Sequence, residues 1–443
     1  MNLARGRELG IADKVGQMTY RLSNPPREWY EGERVGGGEA ASCSGESHNI
    51  LPGSPRPRGA LDLANWMGDL AEHIADLPLH KIRIPGTHDS GAYRLSRTRM
   101  GDLPRWLRGL AGATRGVATR PVTGIIAGWG EAQALDIYGQ LTAGARYLDL
   151  RVVHERGRYF TEHGMAGASF ESIFAQIDAF LENHPREVVV CDFNHFHRFE
   201  TAEDHHGFLD LLERMLGLHV APLALRRASD SGGTVTHREL LRAGRRCVCL
   251  YGGWDHRGVA RKAVEVGCWG RKLHDLWSPW PMASSRRSLV ERMRALDIDG
   301  THAAGFFVLQ GVVTPDAARI AKSLVLPDRG RPRTLKALAH KVTPMVCDMV
   351  TRGDLRAMCI VMLDHIDVAD VEGMLLAAYG RKLKAPTRRL GLLEDVTEEE
   401  EGEGEGSEEG AVAPGVKVEM AVGVTASPAS GVGLKEGRDS QVA

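Results

Sequence analysis

The chain has 443 residues, of which 43% are hydrophobic and 26% charged, and its formal net charge is −1 at pH 7. These values are typical of a soluble globular protein with a sizeable core, and they exclude a mostly disordered chain. No apolar run approaches the roughly 20 residues that cross a bilayer, and residues 1–8 lack the apolar core of a secretory signal. We therefore expect a cytoplasmic protein.

Three segments differ in composition. Residues 1–60 are rich in Pro and Gly and are predicted to be mostly irregular, residues 61–383 form the predicted catalytic domain, and residues 384–443 are predicted to be a disordered acidic, Gly-rich tail. Residues 394–443 contain thirteen acids and three bases, so they carry −10 and residues 1–393 carry +9. A basic body suggests attraction to an anionic surface for which the tail could compete, although a solvated extension is the simpler interpretation of the tail.

In chain order, apolar runs predict strands near 81–85, 146–152, 187–193, 246–251, 306–311 and 358–363. Helical periodicity fills several gaps, notably 170–183 and 367–379. This alternation favours a parallel α/β architecture, without deciding between a closed barrel and an open doubly wound sheet.

Polar residues follow or interrupt several of these strands. His88 and Asp89 come just after the first strand, where a barrel enzyme keeps its catalytic residues. Asp149 and Arg151 share one face of the second strand, because side chains alternate along a strand. His163 precedes a glycine that would let the backbone turn sharply.

Two later strands end in the same way. Asn194 follows an apolar run that becomes polar, as a buried parallel strand does at a barrel mouth, and Asp364 ends the last strand. Each candidate also has a purely structural interpretation, such as an ion pair for Arg151 or a helix cap for Asp364. Their combination favours a catalytic site.

The seven cysteines are scattered, which suits reduced packing residues better than disulfides. Cys247 and Cys249 are expected to point to opposite faces of a strand, so we predict no zinc site there.

Several short sequence motifs, and the order in which they occur, resemble the X domain of phosphatidylinositol-specific phospholipase C, in particular the small X-domain-only proteins. The matching segments are residues 65–68, 85–90, 144–152, 163–164, 184–195 and 306–310. The resemblance covers roughly residues 61–379. It implies a distorted TIM-type barrel, which we adopt as the expected fold.

The resemblance also implies catalytic roles. His88 would be the general base that removes the proton of the inositol 2-hydroxyl, and His163 the general acid that protonates the departing diacylglycerol oxygen, assisted by Asp89. Asp364 would hydrogen-bond His88 and raise its pKa. Arg151 would stabilise the phosphoryl charge. Asp149 and Asn194 are predicted to contribute to substrate binding, and Asp149 to orient Arg151.

No cofactor is expected. Related multidomain enzymes bind a catalytic calcium through a carboxylate at the position of Arg151, and a guanidinium cannot ligate calcium. The combination of Asp89, Arg151 and Asn194 is similar to that of the metal-independent bacterial enzymes. We therefore expect no metal.

The expected function is a phosphoric diester hydrolase or lyase that acts on phosphatidylinositol at a membrane surface. It would contact the membrane peripherally, and we expect no nucleic-acid partner. Residues 273–282, with two tryptophans, form a candidate rim for that contact. The alternatives are a catalytically weak phosphoinositide-binding or scaffold protein on the same barrel, and a metal-dependent barrel phosphodiesterase such as a glycerophosphodiesterase.

Overall fold

A computed structural model describes residues 61–96, 124, 127–227, 235–255, 258–271, 276–300, 305–314 and 334–380. The predictions for residues 1–60 and 384–443 lie outside these residues. The strands are β1 (Ile84–Thr87), β2 (Tyr147–Glu155), β3 (Arg158–Glu162), β4 (Ala166–Ser169), β5 (Val189–His197), β6 (Cys247–Tyr251), β7 (Trp269–Gly270), β8 (Leu276–Trp277), β9 (Phe306–Gln310) and β10 (Ile360–Leu363).

The α-helices of the described residues alternate with these strands. They are α1 (Trp66–Asp69), α2 (Ala71–Ile74), α3 (Ile137–Thr142), α4 (Phe170–Asn183), α5 (Ala202–Leu216), α6 (Leu223–Arg227), α7 (His237–Arg242), α8 (Val259–Val266), α9 (Arg286–Gly300), α10 (Leu335–Thr351) and α11 (Val371–Tyr379). None of them is both long and apolar enough to cross a membrane.

The strand order identifies the architecture. Eight strands pair in parallel in the order β7-β6-β5-β2-β1-β10-β9-β8, while β3 and β4 form an antiparallel extension of β2. Starting from β1, the parallel strands follow one another around the sheet in chain order, and the last strand, β10, lies beside β1. This is the strand order of a barrel, with an opening between β7 and β8. The predicted TIM-type (β/α) barrel with a distorted closure is thus confirmed, and an open doubly wound sheet is excluded.

Alternation along β2 separates the inside of the barrel from the helical layer. Leu148, Leu150 and Val152 pack in one buried cluster with residues of α4 and α5, such as Phe174 and Phe208. The intervening residues of β2 therefore face the barrel interior. This placement directs the polar residues of β2 toward the site described below.

A buried ion pair joins elements at the N-terminal ends of the strands, which is the end of the barrel away from the polar strand ends. Arg146 and Glu187 are fully buried, and the guanidinium Nη2 lies 2.7 Å from the Glu187 carboxylate. The same carboxylate accepts the N–H groups of Met67 and Gly68, and the guanidinium donates to backbone carbonyls such as that of Leu141. Arg146 and Glu187 lie near the starts of two segments that carry the family resemblance, residues 144–152 and 184–195. The beginnings of these two segments therefore have a structural role.

The cysteine expectation was partly wrong. The six cysteines in the described residues are free and buried, as predicted, but Cys247 and Cys249 lie on the same face of β6 with their sulfurs 3.7 Å apart. A strand alternates with a period of two, so residues i and i+2 share a face. Cys191 of β5 lies 3.8 Å from Cys247, and all three pack beneath the helices.

Candidate active site

The register of β1 and β10 brings the first two candidates together. Thr87 pairs with Leu363, so His88 and Asp364 leave adjacent parallel strands at the same level. The His88 backbone N–H continues the ladder by donating to the Leu363 carbonyl at 2.9 Å. As a result, Nδ1 of His88 lies 2.8 Å from Oδ1 of Asp364, and both residues are buried.

Asp89 has a left-handed backbone conformation, with φ of +40°. Few residues other than Gly adopt this conformation readily, although Asp tolerates it better than most. Its N–H donates to the Asp149 carboxylate at 2.9 Å, which fixes the turn. The turn points the Asp89 carboxylate back into the barrel mouth.

The Asp89 carboxylate is the centre of the cluster. One oxygen lies 3.2 Å from Nε2 of His88 and 3.2 Å from Nε2 of His163, and the other lies 2.5 Å from Nε of Arg151. Burial alone would raise the pKa of Asp89, but Arg151 and the histidines outweigh it and hold this pKa below its usual value. Asp89 is therefore ionised at neutral pH.

His88 is poised to carry a positive charge. Burial alone would lower its pKa, but the negative charges of Asp89 and Asp364 outweigh burial and raise the pKa to about 9. The contact of Nδ1 with Asp364 leaves Nε2 toward the barrel mouth, where Nη2 of Arg151 lies 3.4 Å away. Without substrate, His88 is thus an imidazolium at neutral pH.

His163 reaches the cluster from the turn between β3 and β4. Gly164 adopts a φ of +70°, as the sequence predicted for a sharp turn. Nδ1 of His163 donates to the carbonyl of Gly130 at 2.7 Å, which leaves Nε2 facing Asp89. Only a quarter of the His163 side chain is exposed.

The two predicted substrate-binding residues contact each other. Asp149 accepts from the backbone of Asp89 and from the side-chain amide of Asn194. Both Asp149 oxygens therefore have internal partners, and this residue positions the turn at Asp89. Their direct contact with substrate stays a prediction.

Three polar residues beside the cluster had not been singled out from the sequence. Arg271, just after β7, places Nε 2.7 Å from Asp192, and Asp192 also accepts the Tyr147 hydroxyl at 2.6 Å. Burial raises the pKa of Asp192 even against the opposing charge of Arg271. Asp192 lies in one of the resembling phrases, but Arg271 lies in none of them.

Gln133 was also missed. Its fully buried amide donates to the carbonyls of His88 and Leu363 at 3.0 and 2.9 Å, and its oxygen accepts the N–H of Ile366 at 3.1 Å. This single side chain joins the ends of β1 and β10. It lies outside every strand and helix, so no periodicity could have indicated it.

One set of donors in the site could contact a cation. Single ligand atoms of His88, Asp89 and Asp149 lie within 4.8 Å of one another. The Arg151 guanidinium already contacts Asp89, however, and a second cation there would be repelled. This donor set is therefore a poor fit to a divalent ion.

Comparison with known proteins identifies the family. The chain is 30% identical over 286 residues to PI-PLC X domain-containing protein 2 of Homo sapiens, covering 61% of this chain and 86% of that protein. The chain belongs to the PI-PLC X domain-containing proteins. The mouse X-domain protein 2 is 29% identical over 331 residues, covering 72% of this chain and 89% of that protein. The human X-domain protein 3 is 26% identical over 320 residues, covering 68% and 94%.

Other comparisons add little to the X-domain assignment. No family model matches the chain. Among solved structures, the phosphatidylinositol-specific phospholipase C from Listeria monocytogenes aligns with a TM-score of 0.47 and 15% identity, over 73% of this chain and 100% of that one.

Proposed function

We propose that this X-domain protein cleaves phosphatidylinositol, releasing diacylglycerol and an inositol cyclic phosphate or inositol phosphate. One observation carries the proposal: two histidines and an arginine converge on one buried carboxylate, Asp89, at the ends of parallel strands. This arrangement supplies two proton carriers and a fixed positive charge, which an internal transfer to the inositol 2-hydroxyl requires.

His88 is proposed as the general base. Its Nδ1–H donates to Asp364, so the active base is the neutral ring that forms when Nε2 loses its proton, and Nε2 then takes the proton of the 2-hydroxyl. The 2-oxygen then bonds to phosphorus while the bond from phosphorus to the diacylglycerol oxygen breaks. The resulting imidazolium is stabilised by Asp364 and Asp89.

His163 is proposed as the general acid. Its Nδ1 donates to the Gly130 carbonyl, so the proton for the diacylglycerol oxygen comes from Nε2. Asp89 lies 3.2 Å from that nitrogen. Asp89 thus positions the acid.

Arg151 is proposed to stabilise the phosphoryl oxygens without a metal. Its Nε binds Asp89, and about a quarter of its side chain is exposed toward the barrel mouth. A guanidinium presents further N–H groups in a planar fork that matches two phosphoryl oxygens. The reaction is therefore proposed to be independent of calcium.

The test is release of water-soluble inositol phosphate from phosphatidylinositol vesicles by the full chain, with calcium and with excess chelator. Turnover should persist in chelator, disappear in His88→Ala, and be unchanged in His73→Ala, which alters an exposed histidine of α2. Turnover only with calcium would overturn metal independence. Vesicle binding without turnover under either condition would favour the scaffold alternative.

A further inference from the structure

Three potential metal ligands lie on the segment after β10 and on α10. They take no part in the catalytic cluster, which consists of His88, Asp89, Arg151, His163 and Asp364. His365 directly follows Asp364, Asp367 lies in the short 3-10 helix Ile366–Val368, and His340 lies on α10. One ligand atom from each lies within 4.8 Å of the other two. We propose that these three residues bind a divalent transition-metal ion of the zinc class. This proposal does not depend on the proposed catalytic activity.

The buried imidazole of His365 points to a ligand. Its Nε2 donates to the backbone carbonyl of Glu131 at 3.0 Å, so the neutral ring presents a lone pair at Nδ1. The residue is fully buried, and Nδ1 makes no well-formed hydrogen bond among the described residues, since its contact with Oδ1 of Asp367 is long, at 3.4 Å. An unpaired buried nitrogen is costly, and a metal ion satisfies it.

The contact with Glu131 is the arrangement that orients metal-binding histidines. Such histidines usually donate their second ring N–H to a carbonyl or carboxylate, which fixes the tautomer and the ring direction. The backbone of His365 is fixed as well. It adopts a φ of +48°, and its N–H donates to Ala132 at 2.8 Å.

The other two ligands complete an open site. Oδ1 of Asp367 lies 3.4 Å from Nδ1 of His365, and the His340 ring centroid lies 6.2 Å from that of His365. His340 and Asp367 are exposed, so an ion has a path to the buried nitrogen. Tetrahedral zinc has bonds of about 2 Å, which places its ligand atoms roughly 3.3 Å apart. Small side-chain movements reach this geometry, and water takes the fourth position.

The charges of the site suit a cation. Asp367 brings a carboxylate to the two imidazoles, and a carboxylate offsets part of the charge of a bound cation. Lys336, one turn before His340 on α10, opposes the bound ion, which moderates the affinity.

A second histidine cluster, at a distance from the proposed site, supplies the control. Nε2 of His219 lies 3.1 Å from Asp178 and 3.2 Å from Glu182, so this nitrogen already has carboxylate partners. The cluster lies near the start of β6, at the opposite end of the barrel from Asp364.

A bound ion would join two elements that support Asp364. His340 lies one turn before Thr343 on α10, whose hydroxyl donates to the Asp364 carbonyl at 2.6 Å. His365 and Asp367 belong to the segment that follows β10. The ion would pin this segment to α10, so its main expected effect is on stability.

The test is titration of chelator-treated full-length protein with zinc alone, by calorimetry and by thermal unfolding. Cobalt provides a second probe, since tetrahedral cobalt has a strong visible absorption. One ion should bind and raise the melting temperature. His340→Ala and Asp367→Asn should each weaken binding at least tenfold and abolish the cobalt band, because each removes one proposed ligand at an exposed position and leaves the buried His365 in place. His219→Ala should leave binding unchanged.

Each result that would contradict the proposed metal site has its own interpretation. No zinc binding, or binding and a cobalt band unaffected by His340→Ala and Asp367→Asn, would overturn the proposal. Loss of the band in His219→Ala alone would assign the ion to the other cluster. Loss in His88→Ala alone would assign it to the catalytic cluster. Because every readout is binding or stability, these results do not depend on whether the protein turns over phosphatidylinositol.

Discussion

His88 and Asp364 are 276 positions apart in the chain, yet Nδ1 of one lies 2.8 Å from Oδ1 of the other. The contact follows from the pairing of Thr87 with Leu363, which places the first and last strands of the barrel side by side. Closing the barrel at this seam therefore also assembles the base and its partner. Gln133 reinforces the seam by bonding both strand ends.

The first prediction concerns the charge of His88. In the substrate-free protein, NMR titration of its ring should give a pKa of about 9, because Asp89 and Asp364 outweigh burial. Asp364→Asn should lower this pKa by removing one negative charge. If His88 is the base, kcat/KM should rise with pH toward about 9 and should level off at lower pH in the variant.

The same shift has a consequence for stability. The pKa of His88 is higher in the folded protein than its ordinary value of 6.5. Its contribution to the free energy of unfolding is therefore fully present below about pH 6.5 and is lost as the pH rises through about 9. Urea unfolding should show a smaller loss over this window in Asp364→Asn. An equal loss in both proteins would contradict the raised pKa.

The sequence predicted the parts of the site better than their arrangement. Six of the eight parallel strands were predicted, although β1 was placed too early, near 81–85 rather than Ile84–Thr87. The strands β7 and β8 have two residues each and are too short for any periodicity. Alternation correctly placed Asp149 and Arg151 on one face of β2.

The central position of Asp89 could not be predicted. It depends on the left-handed turn at residue 89 and on barrel closure, and neither leaves a periodic signal. Arg271 and Gln133 were missed for the same reason, since their partners lie on distant strands. The sequence identifies candidates by local context, whereas the convergence of four side chains is a long-range property.

The second prediction concerns the guanidinium of Arg151. Arg151→Lys keeps the charge but loses the planar fork, so kcat on phosphatidylinositol should fall roughly 10²- to 10³-fold. Thermal stability should change little, since Lys keeps a positive charge beside the buried Asp89. Added guanidine should partly restore turnover in Arg151→Ala. Arg261→Lys, on an exposed face of α8, serves as the control.

Full activity of Arg151→Lys would contradict the proposed bidentate contact with phosphate. Calcium-dependent activity in Arg151→Asp, absent from the parent, would show that the guanidinium stands where a metal could otherwise bind. Inactivity of that variant with and without calcium is expected here, because it lacks the guanidinium that is proposed to bind the phosphoryl oxygens.

The third prediction concerns the buried pair at the opposite end of the barrel. Glu187→Gln leaves the Arg146 guanidinium buried without its counter-charge, so the free energy of unfolding should fall by about 3–5 kcal/mol. The exposed pair of Arg261 and Glu265 is the control, and Glu265→Gln should cost at most about 1 kcal/mol. Similar costs for the two variants in urea unfolding would contradict the structural role of Arg146.

The last prediction concerns the rim, where the structure separates residues that the sequence grouped. Met282 is 76% exposed, whereas the Trp280 ring lies 5.6 Å from the ring of His88. Met282→Ser should therefore weaken binding to phosphatidylinositol vesicles and spare turnover of a soluble head-group substrate, while Trp280→Ala should reduce both. Leu218→Ser is the matched control, because Leu218 is 78% exposed near the start of β6, at the other end of the barrel. Equal loss of vesicle binding in both Ser variants would mean that the membrane is not contacted through this rim.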